Sequence, residues 1–236
     1  MTQASFRFQQ FEVFHDRCAM KVGTDGVLLG AWADVEHCRR MLDIGTGTGI
    51  IALMVAQRAP EAEVVSVEID GSAAIQAREN VSRSPFADRI RVVQADVRAF
   101  HDDGGPFDCI LCNPPFFSED TLPDNRSRSL ARHNAHLRFE ELIAAVELLL
   151  SPSGVFHVVL PQSEVNTFVS KCFISGLNLV RQCQVKTVES KPPKRALLTF
   201  SPCGKVCTQA ETLVLQHPDG SRTTAYDALT HDFYLW

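Results

Sequence analysis

The chain has 236 residues, 45% of them hydrophobic and 22% charged, with a net charge of −5 from 23 Lys and Arg against 28 Asp and Glu. That length fills one sizeable core, and the near-average composition excludes disorder, collagen and coiled coil. No apolar run approaches the ~20 residues of a membrane span, and the acidic surplus excludes a generic polyanion binder, so any nucleic-acid affinity must come from a local basic patch.

Met1 to Gln10 is polar and aromatic and lacks the apolar centre of a signal peptide. A soluble, cytoplasmic chain with reduced thiols is therefore expected. From Met41 short apolar strands alternate with helical stretches. Met41–Ile44 is a strand, residues 50–57 are apolar at helical spacing, Val64–Glu68 is a strand, and a helix is expected over about residues 72–81. Strands over residues 90–93 and 108–112 precede a helix over about 139–150, which stops at Ser151-Pro152-Ser153-Gly154. A strand over 155–160, a helix near 163–175 and strands near 177–188 and 195–201 follow. Residues 212–216, His217-Pro218-Asp219-Gly220 and residues 221–226 suggest a C-terminal β-hairpin.

Alternating β and α units require right-handed crossovers and a mostly parallel sheet covered on both faces. The expected fold is therefore α/β with seven strands in the sheet, as one domain over residues 1–236 with a small N-terminal extension, residues 1–40. Among eight cysteines, Cys109 and Cys112 form a CxxC, but inside an apolar strand, which makes them core residues. Cys203 and Cys207 have no second pair at zinc-like spacing. No metal site is expected.

Strand 41–44 runs into Gly45-Thr46-Gly47-Thr48-Gly49 and then a helix. Glycines here permit a tight turn and a close ligand approach. Glu68 ends the next strand and Asp70 follows, where a ribose diol finds a carboxylate. The third glycine comes one residue too early for a dinucleotide fingerprint, and the Gly-Lys-Ser/Thr ending of a phosphate loop is missing. Asp43 beside the loop suits an α-amino group better than a pyrophosphate. The pattern resembles motif I of the class I S-adenosylmethionine methyltransferases. That resemblance implies a Rossmann-like fold and assigns the cofactor to Asp43, Gly45, Thr46, Gly47, Gly49, Glu68 and Ile69. Asp96 alone is a solvated loop acid; in this pattern it meets the adenine amino group.

Asn113-Pro114-Pro115-Phe116 follows strand 108–112 at once. Two prolines cannot donate to a ladder, so the strand ends there, on the sheet edge where ligands of parallel sheets bind. An adenine amine is a poor nucleophile because its lone pair is conjugated into the ring. The Asn113 side-chain oxygen and the Pro114 carbonyl can each accept one of its N–H groups and turn the lone pair outward, and Phe116 can stack on the base. The leaving group is a neutral thioether, so the chemistry calls for no metal. The tetrad resembles that of methyltransferases acting on planar amines: adenine N6, guanine N2 or the amide of protein glutamine.

With residues 11–32 and the ending Asp232-Phe233-Tyr234-Leu235-Trp236, nearly the whole chain resembles the bacterial tRNA1(Val) (adenine-37-N6)-methyltransferases. This implies methylation of the adenine 3′ of the anticodon in a valine tRNA, with no membrane association and no obligatory protein partner. It also places residues 21–25 over the cofactor, including Lys21 and Thr24. For Thr24 two roles stay open, a contact to the methionine carboxylate or a helix N-cap. The extension is too short for a release-factor glutamine methyltransferase, whereas guanine N2 stays open. Two basic stretches are candidates for RNA phosphates or simply solvated surface. One holds Arg126, Arg128, Arg132 and Arg138, with His133 and His136. The other runs from Arg181 to Lys205 and includes Lys186, Lys191, Lys194 and Arg195.

Overall fold

The computed structural model describes residues 5–18, 21–115 and 137–235. Strands β1 (Ser5–Arg7) and β2 (Glu12–Phe14) form a small antiparallel pair, followed by helix α1 (Thr24–Trp32). The alternating part then runs β3 (Arg40–Ile44), α2 (Ile50–Arg58), β4 (Glu63–Glu68), α3 (Gly71–Ser82), β5 (Ile90–Gln94) and β6 (Phe107–Cys112). After the undescribed residues 116–136 come α4 (Phe139–Leu149), β7 (Leu150–Pro161), α5 (Val165–Ile174), β8 (Asn178–Val188), β9 (Arg195–Ser201), β10 (Glu211–Gln216) and α6 (Thr224–Thr230).

The main sheet has the order β10-β8-β9-β7-β6-β3-β4-β5. Every neighbouring pair is parallel except those made by β9, which runs against both β7 and β8. The switch point lies between β3 and β6, whose chain paths leave in opposite directions across the sheet, and in such folds ligands bind beyond the strand ends at that point. Successive residues of β6 serve opposite faces. Cys109 and Leu111 join the cluster built on α1 and α2, while Ile110 and Cys112 join the one under α4 and α5. Burial on both faces is why these strands are apolar throughout rather than alternating.

Three expectations change. The sheet has eight strands, not seven, because β10 lies parallel against β8 with Leu213 beside Val185. The expected C-terminal hairpin shrinks to a single bridge, Gln216 to Arg222. Residues 224–230 are helical instead, because the Thr223 hydroxyl accepts the Tyr226 amide at 3.2 Å and so caps α6. Helical spacing then buries Tyr226, Thr230 and Phe233 together. Finally, Thr24 is not a cap. Gly23 takes the extended cap conformation and Thr24 is the first helical residue.

Helix α1 gave no periodic signal because it is buried nearly all round, from Gly26 to Trp32. The N-terminal segment is strapped to the sheet through Asn80 of α3. Its side chain exchanges bonds with the Phe14 backbone at 2.9 and 2.8 Å and donates to the Thr48 carbonyl at 2.8 Å. The C-terminal residues close over the same segment, with Gln9 donating its side-chain amide to the carbonyls of His231 and Tyr234.

Candidate functional site

Strand register decides whether the two motifs meet. Ile44 of β3 pairs with Cys112 of β6, so the next residues, Gly45 and Asn113, leave adjacent strands at the same edge, about 5 Å apart. Ile44 also pairs with Val67, which brings Glu68 to that edge from the other side. The loop glycines are needed where they stand. Gly45, Gly47 and Gly49 have φ of 70°, 57° and 83°, in the left-handed region that L side chains avoid. A Cβ on Gly45 would meet nothing within 4 Å, so the loop borders open space.

The acids under this loop are tied to it. Glu68 Oε2 accepts the Gly47 amide at 2.9 Å and Oε1 accepts the Asp70 amide at 3.0 Å. Asp43 is fully buried and its Oδ2 accepts the Thr46 hydroxyl. Its Oδ1 meets no donor at hydrogen-bond geometry. Burial pushes this carboxyl up to about 7; the Thr46 bond opposes that rise, nearby Glu68 adds to it, and the Ala52 amide tempers it. A buried carboxylate oxygen without a donor is costly, so the place fits a ligand carrying an amino group. Asp70 caps α3 by accepting the Ala73 amide at 2.8 Å, and Ile69 between the two acids is 44% exposed, an apolar face on the rim.

Asp96 lies just past β5, where its side chain accepts the Arg98 amide at 3.0 Å. It also holds the Arg98 guanidinium through both oxygens at 2.9 Å, and that partner keeps its carboxyl below the usual range. A ligand amine at Asp96 would share the carboxylate with Arg98.

Asn113 is half-buried and Pro114 buried. Helix α1 packs over this corner at a position that only glycine fits comfortably. A Cβ on Gly26 would stand 3.3 Å from Ile50 Cγ2 and 3.9 Å from Asn113 Nδ2. The N-terminal extension thus touches both the start of α2 and the tetrad. Cys18 also comes to this edge, where burial and the charges of Glu68, Asp70 and Asp16 push its thiol up to about 11. Sequence reading missed both Gly26 and Cys18. Lys21 and Thr24 are exposed at the entry to α1.

The basic candidates separate. Phe116, Arg126, Arg128, Arg132, His133 and His136 lie outside the described residues. Arg138 pairs with Glu141 at the start of α4. Arg195 pairs with Pro161 at the end of β7, on the Asn113 edge, and its Nε donates to Asp25 of α1 at 2.8 Å. Lys194 is exposed beside it. Arg181 sits lower on β8, stacked 4.2 Å over Trp32 and bonded to Asp34 and Glu211. Lys205 follows the far end of β9, at the opposite edge of the sheet. Cys109 and Cys112 are buried free thiols, and burial raises both. Among the described residues no helix is long and apolar enough to cross a membrane, and no group of three or more His, Cys, Asp or Glu is placed to hold a metal ion.

Residues 19–164 match the family model of the methyltransferase small domain. A protein of Bacteroides fragilis named tRNA1(Val) (adenine(37)-N6)-methyltransferase is 46% identical, over 100% of this chain and 99% of its own. One of the same name from Histophilus somni is 41% identical, over 98% of this chain and 97% of its own. In structure, a protein described as a predicted O-methyltransferase of Agrobacterium tumefaciens superposes with a TM-score of 0.70 at 22% identity, covering 90% of this chain and 98% of that one. This last likeness carries the fold alone.

Proposed function

This chain belongs to the methyltransferase small domain family and to the family of its tRNA1(Val) (adenine(37)-N6)-methyltransferase relatives, and from that premise we propose that it methylates N6 of an adenine in a valine tRNA, at the position 3′ of the anticodon. The methyl donor is S-adenosylmethionine, which supplies a methyl group already activated on a sulfonium. The observation that carries the reading is the register Ile44–Cys112, which sets the glycine loop and Asn113 side by side on one sheet edge.

Each residue then has a task. Asp43, through its donor-free oxygen, takes the methionine amino group; Gly45 and Gly47 let the ligand approach the backbone without a Cβ in the way, Thr46 stands between them bonded to Asp43, and Gly49 turns the chain into α2 against Ala77. Glu68 accepts from the ribose hydroxyls while holding the loop through the Gly47 amide. Ile69 offers its exposed face to the adenine ring and Asp96 accepts its amine. Lys21 and Thr24 close the methionine side from the entry to α1. On the substrate side, the Asn113 side-chain oxygen and the Pro114 carbonyl accept the two N–H groups of the target amine. This fixes its lone pair in line with the methyl carbon. Pro115 holds the corner extended and Phe116 stacks on the extruded base. The proton released after transfer passes to water, so no strong base is needed. RNA phosphates are met by Arg126, Arg128, Arg132 and Lys194 with Arg195 behind it. The enzyme acts in the cytoplasm, as a single domain without an obligatory protein partner.

The test is tritiated methyl transfer from S-adenosylmethionine into total bacterial RNA, followed by nucleoside analysis. N6-methyladenosine in valine tRNA is expected. N2-methylguanosine as the product would overturn the choice of amine.

A further inference from the structure

We propose that the tip of the β8–β9 hairpin, through Lys191 and Lys194, is the surface that grips the RNA backbone beside the target base; this rests on the tRNA reading above and assigns its partner a place.

Four observations carry it. First, the hairpin stands on the right edge and rises above it. Cys112 pairs with Val158, and β7 runs three residues further, to Pro161, which pairs with Arg195. Asn113 is level with Val159, so the tip begins roughly 7 Å above the Asn113 corner and, two strands away, roughly 10 Å to its side. That is wall and floor for a base drawn down to the corner with its backbone left above.

Second, the charges on the hairpin cancel everywhere except at two residues. Lys186 is paired with Glu189 at 3.3 Å, and Arg195 with Asp25 at 2.8 Å. Among the described residues neither Lys191 nor Lys194 pairs with a carboxylate, and both are exposed. In a chain of net charge −5, two cations without a carboxylate partner on one hairpin tip above the reactive corner are a local field of the sign a phosphodiester needs.

Third, the tip is stiff. Between the lysines stand Pro192 and Pro193, which fix their own φ angles. The Lys191 amide donates to the Val188 carbonyl at 3.1 Å and the Lys194 amide to the Val185 carbonyl at 2.9 Å. A preorganised tip gives up little entropy when it binds. Fourth, Arg195 braces the tip. Its guanidinium bonds Asp25 and its own neighbour's carbonyl, Lys194 O, at 3.1 Å, so hairpin and α1 are held together. Gly26 of that same helix abuts Asn113, which connects the grip to the corner through one short element.

The experiment compares wild type, Lys191→Gln/Lys194→Gln and Lys205→Gln for affinity to a valine tRNA transcript across a salt series. Each phosphate contact to a single strand contributes roughly 0.7 to the salt slope, so the double variant should lose about 1.4 and bind about tenfold more weakly at low salt. Its affinity for S-adenosylmethionine and its melting temperature should stay at wild-type values. Lys205→Gln, at the opposite sheet edge, should keep the wild-type slope. A double variant with unchanged slope overturns the assignment, as does an equal loss in Lys205→Gln, which would mean that only total charge matters. If wild type methylates no tRNA adenine, it is the underlying reading that fails, and nucleoside analysis after tritiated methyl transfer by the same wild-type protein separates the two outcomes.

Discussion

On one side of Asn113, β3 and β4 carry carboxylates sunk beneath a glycine loop, Glu68 tied to the Gly47 amide and Asp43 to the Thr46 hydroxyl; on the other, beyond β7, β8 and β9 meet in a hairpin whose lysines stand in water. Asp43 is 0% exposed and Glu68 9%, whereas Lys191 and Lys194 are exposed to solvent. The first half works by preorganised short-range contacts in a dry setting, where a single group is worth much. The second works by charge that water and salt screen, where each group is worth little and several must add. One half selects a small cofactor atom by atom; the other holds a long polymer loosely enough to release it.

Asn113, on the boundary, should show the largest effect. Asn113→Ala removes one of two acceptors for the target amine, and misplacement of a reacting group costs about 100-fold in rate. Methyl transfer at saturating tRNA should fall by at least that factor while calorimetry shows S-adenosylmethionine affinity within a few-fold of wild type. A variant of undiminished turnover would take Asn113 out of the chemistry and erase the boundary.

Next comes Glu68→Gln, in the buried half. The amide keeps one acceptor, so either the Gly47 or the Asp70 amide loses its carboxylate bond, and so does the ribose. Hydrogen bonds to a charged acceptor contribute about 1.5–3 kcal/mol, which predicts cofactor affinity weaker by roughly 10- to 100-fold. Affinity for tRNA measured without cofactor should not move. If both affinities fall together, the two halves are not independent sites.

The halves also carry buried titrating groups of opposite sign. Burial pushes Asp43 up to about 7 from its ordinary 3.8, so between those values the folded chain holds a proton the unfolded chain has released, and stability is lost as pH rises. His157 of β7, bonded to Thr199 Oγ1 at 2.9 Å, is pulled down to about 3 from 6.5 by burial, with Arg181 and Arg58 adding to it against the Asp34 backbone. There the unfolded chain takes up a proton that the folded one refuses, and stability is lost as pH falls. Between pH 6 and 5 the two slopes oppose each other. Asp43→Asn removes one of them, so the ligand-free variant should lose about 1.4 kcal/mol relative to wild type over that unit, read from urea melts. Equal slopes in both proteins would mean that Asp43 is ionised in the folded chain at pH 5.

The same contrast explains what the sequence discloses. Asp43, Gly45–Gly49, Glu68 and Asn113 can be read from a bare chain because each stands at a strand end where backbone geometry demands its residue type, and spacing along the chain fixes spacing along the edge. The grouping of lysines cannot. Arg181 and Lys205 belong to the same basic stretch of sequence as Lys191 and Lys194, yet the antiparallel run of β8 and β9 places Arg181 lower on β8 and Lys205 past the far end of β9, away from the edge. Helix α1 escaped notice because burial on every side leaves no apolar period, whereas β10 is legible as a strand over residues 212–216 and only its partner is not, since it joins β8 in parallel instead of pairing with residues 221–226. Residues 221–226 misled through β-branched and aromatic content, while one hydroxyl, that of Thr223, decides for a helix.

Gly26 is the finest probe of how the two halves are joined, since it lies in the helix that Arg195 holds on one side and that covers Asn113 on the other. Gly26→Ala pits two effects against each other. Alanine is favoured over glycine in a helix by up to about 1 kcal/mol, so the melting temperature should rise or hold. The new Cβ would stand 3.3 Å from Ile50 Cγ2, and relief comes by a shift of α1 of a few tenths of an ångström away from α2 and the tetrad. Such a shift leaves Glu68 and the lysines where they are, so affinities for cofactor and tRNA should stay within twofold while turnover drops several-fold. Turnover equal to wild type, at the raised melting temperature, would show that α1 covers the Asn113 corner without setting it, and that the two halves meet only through the sheet.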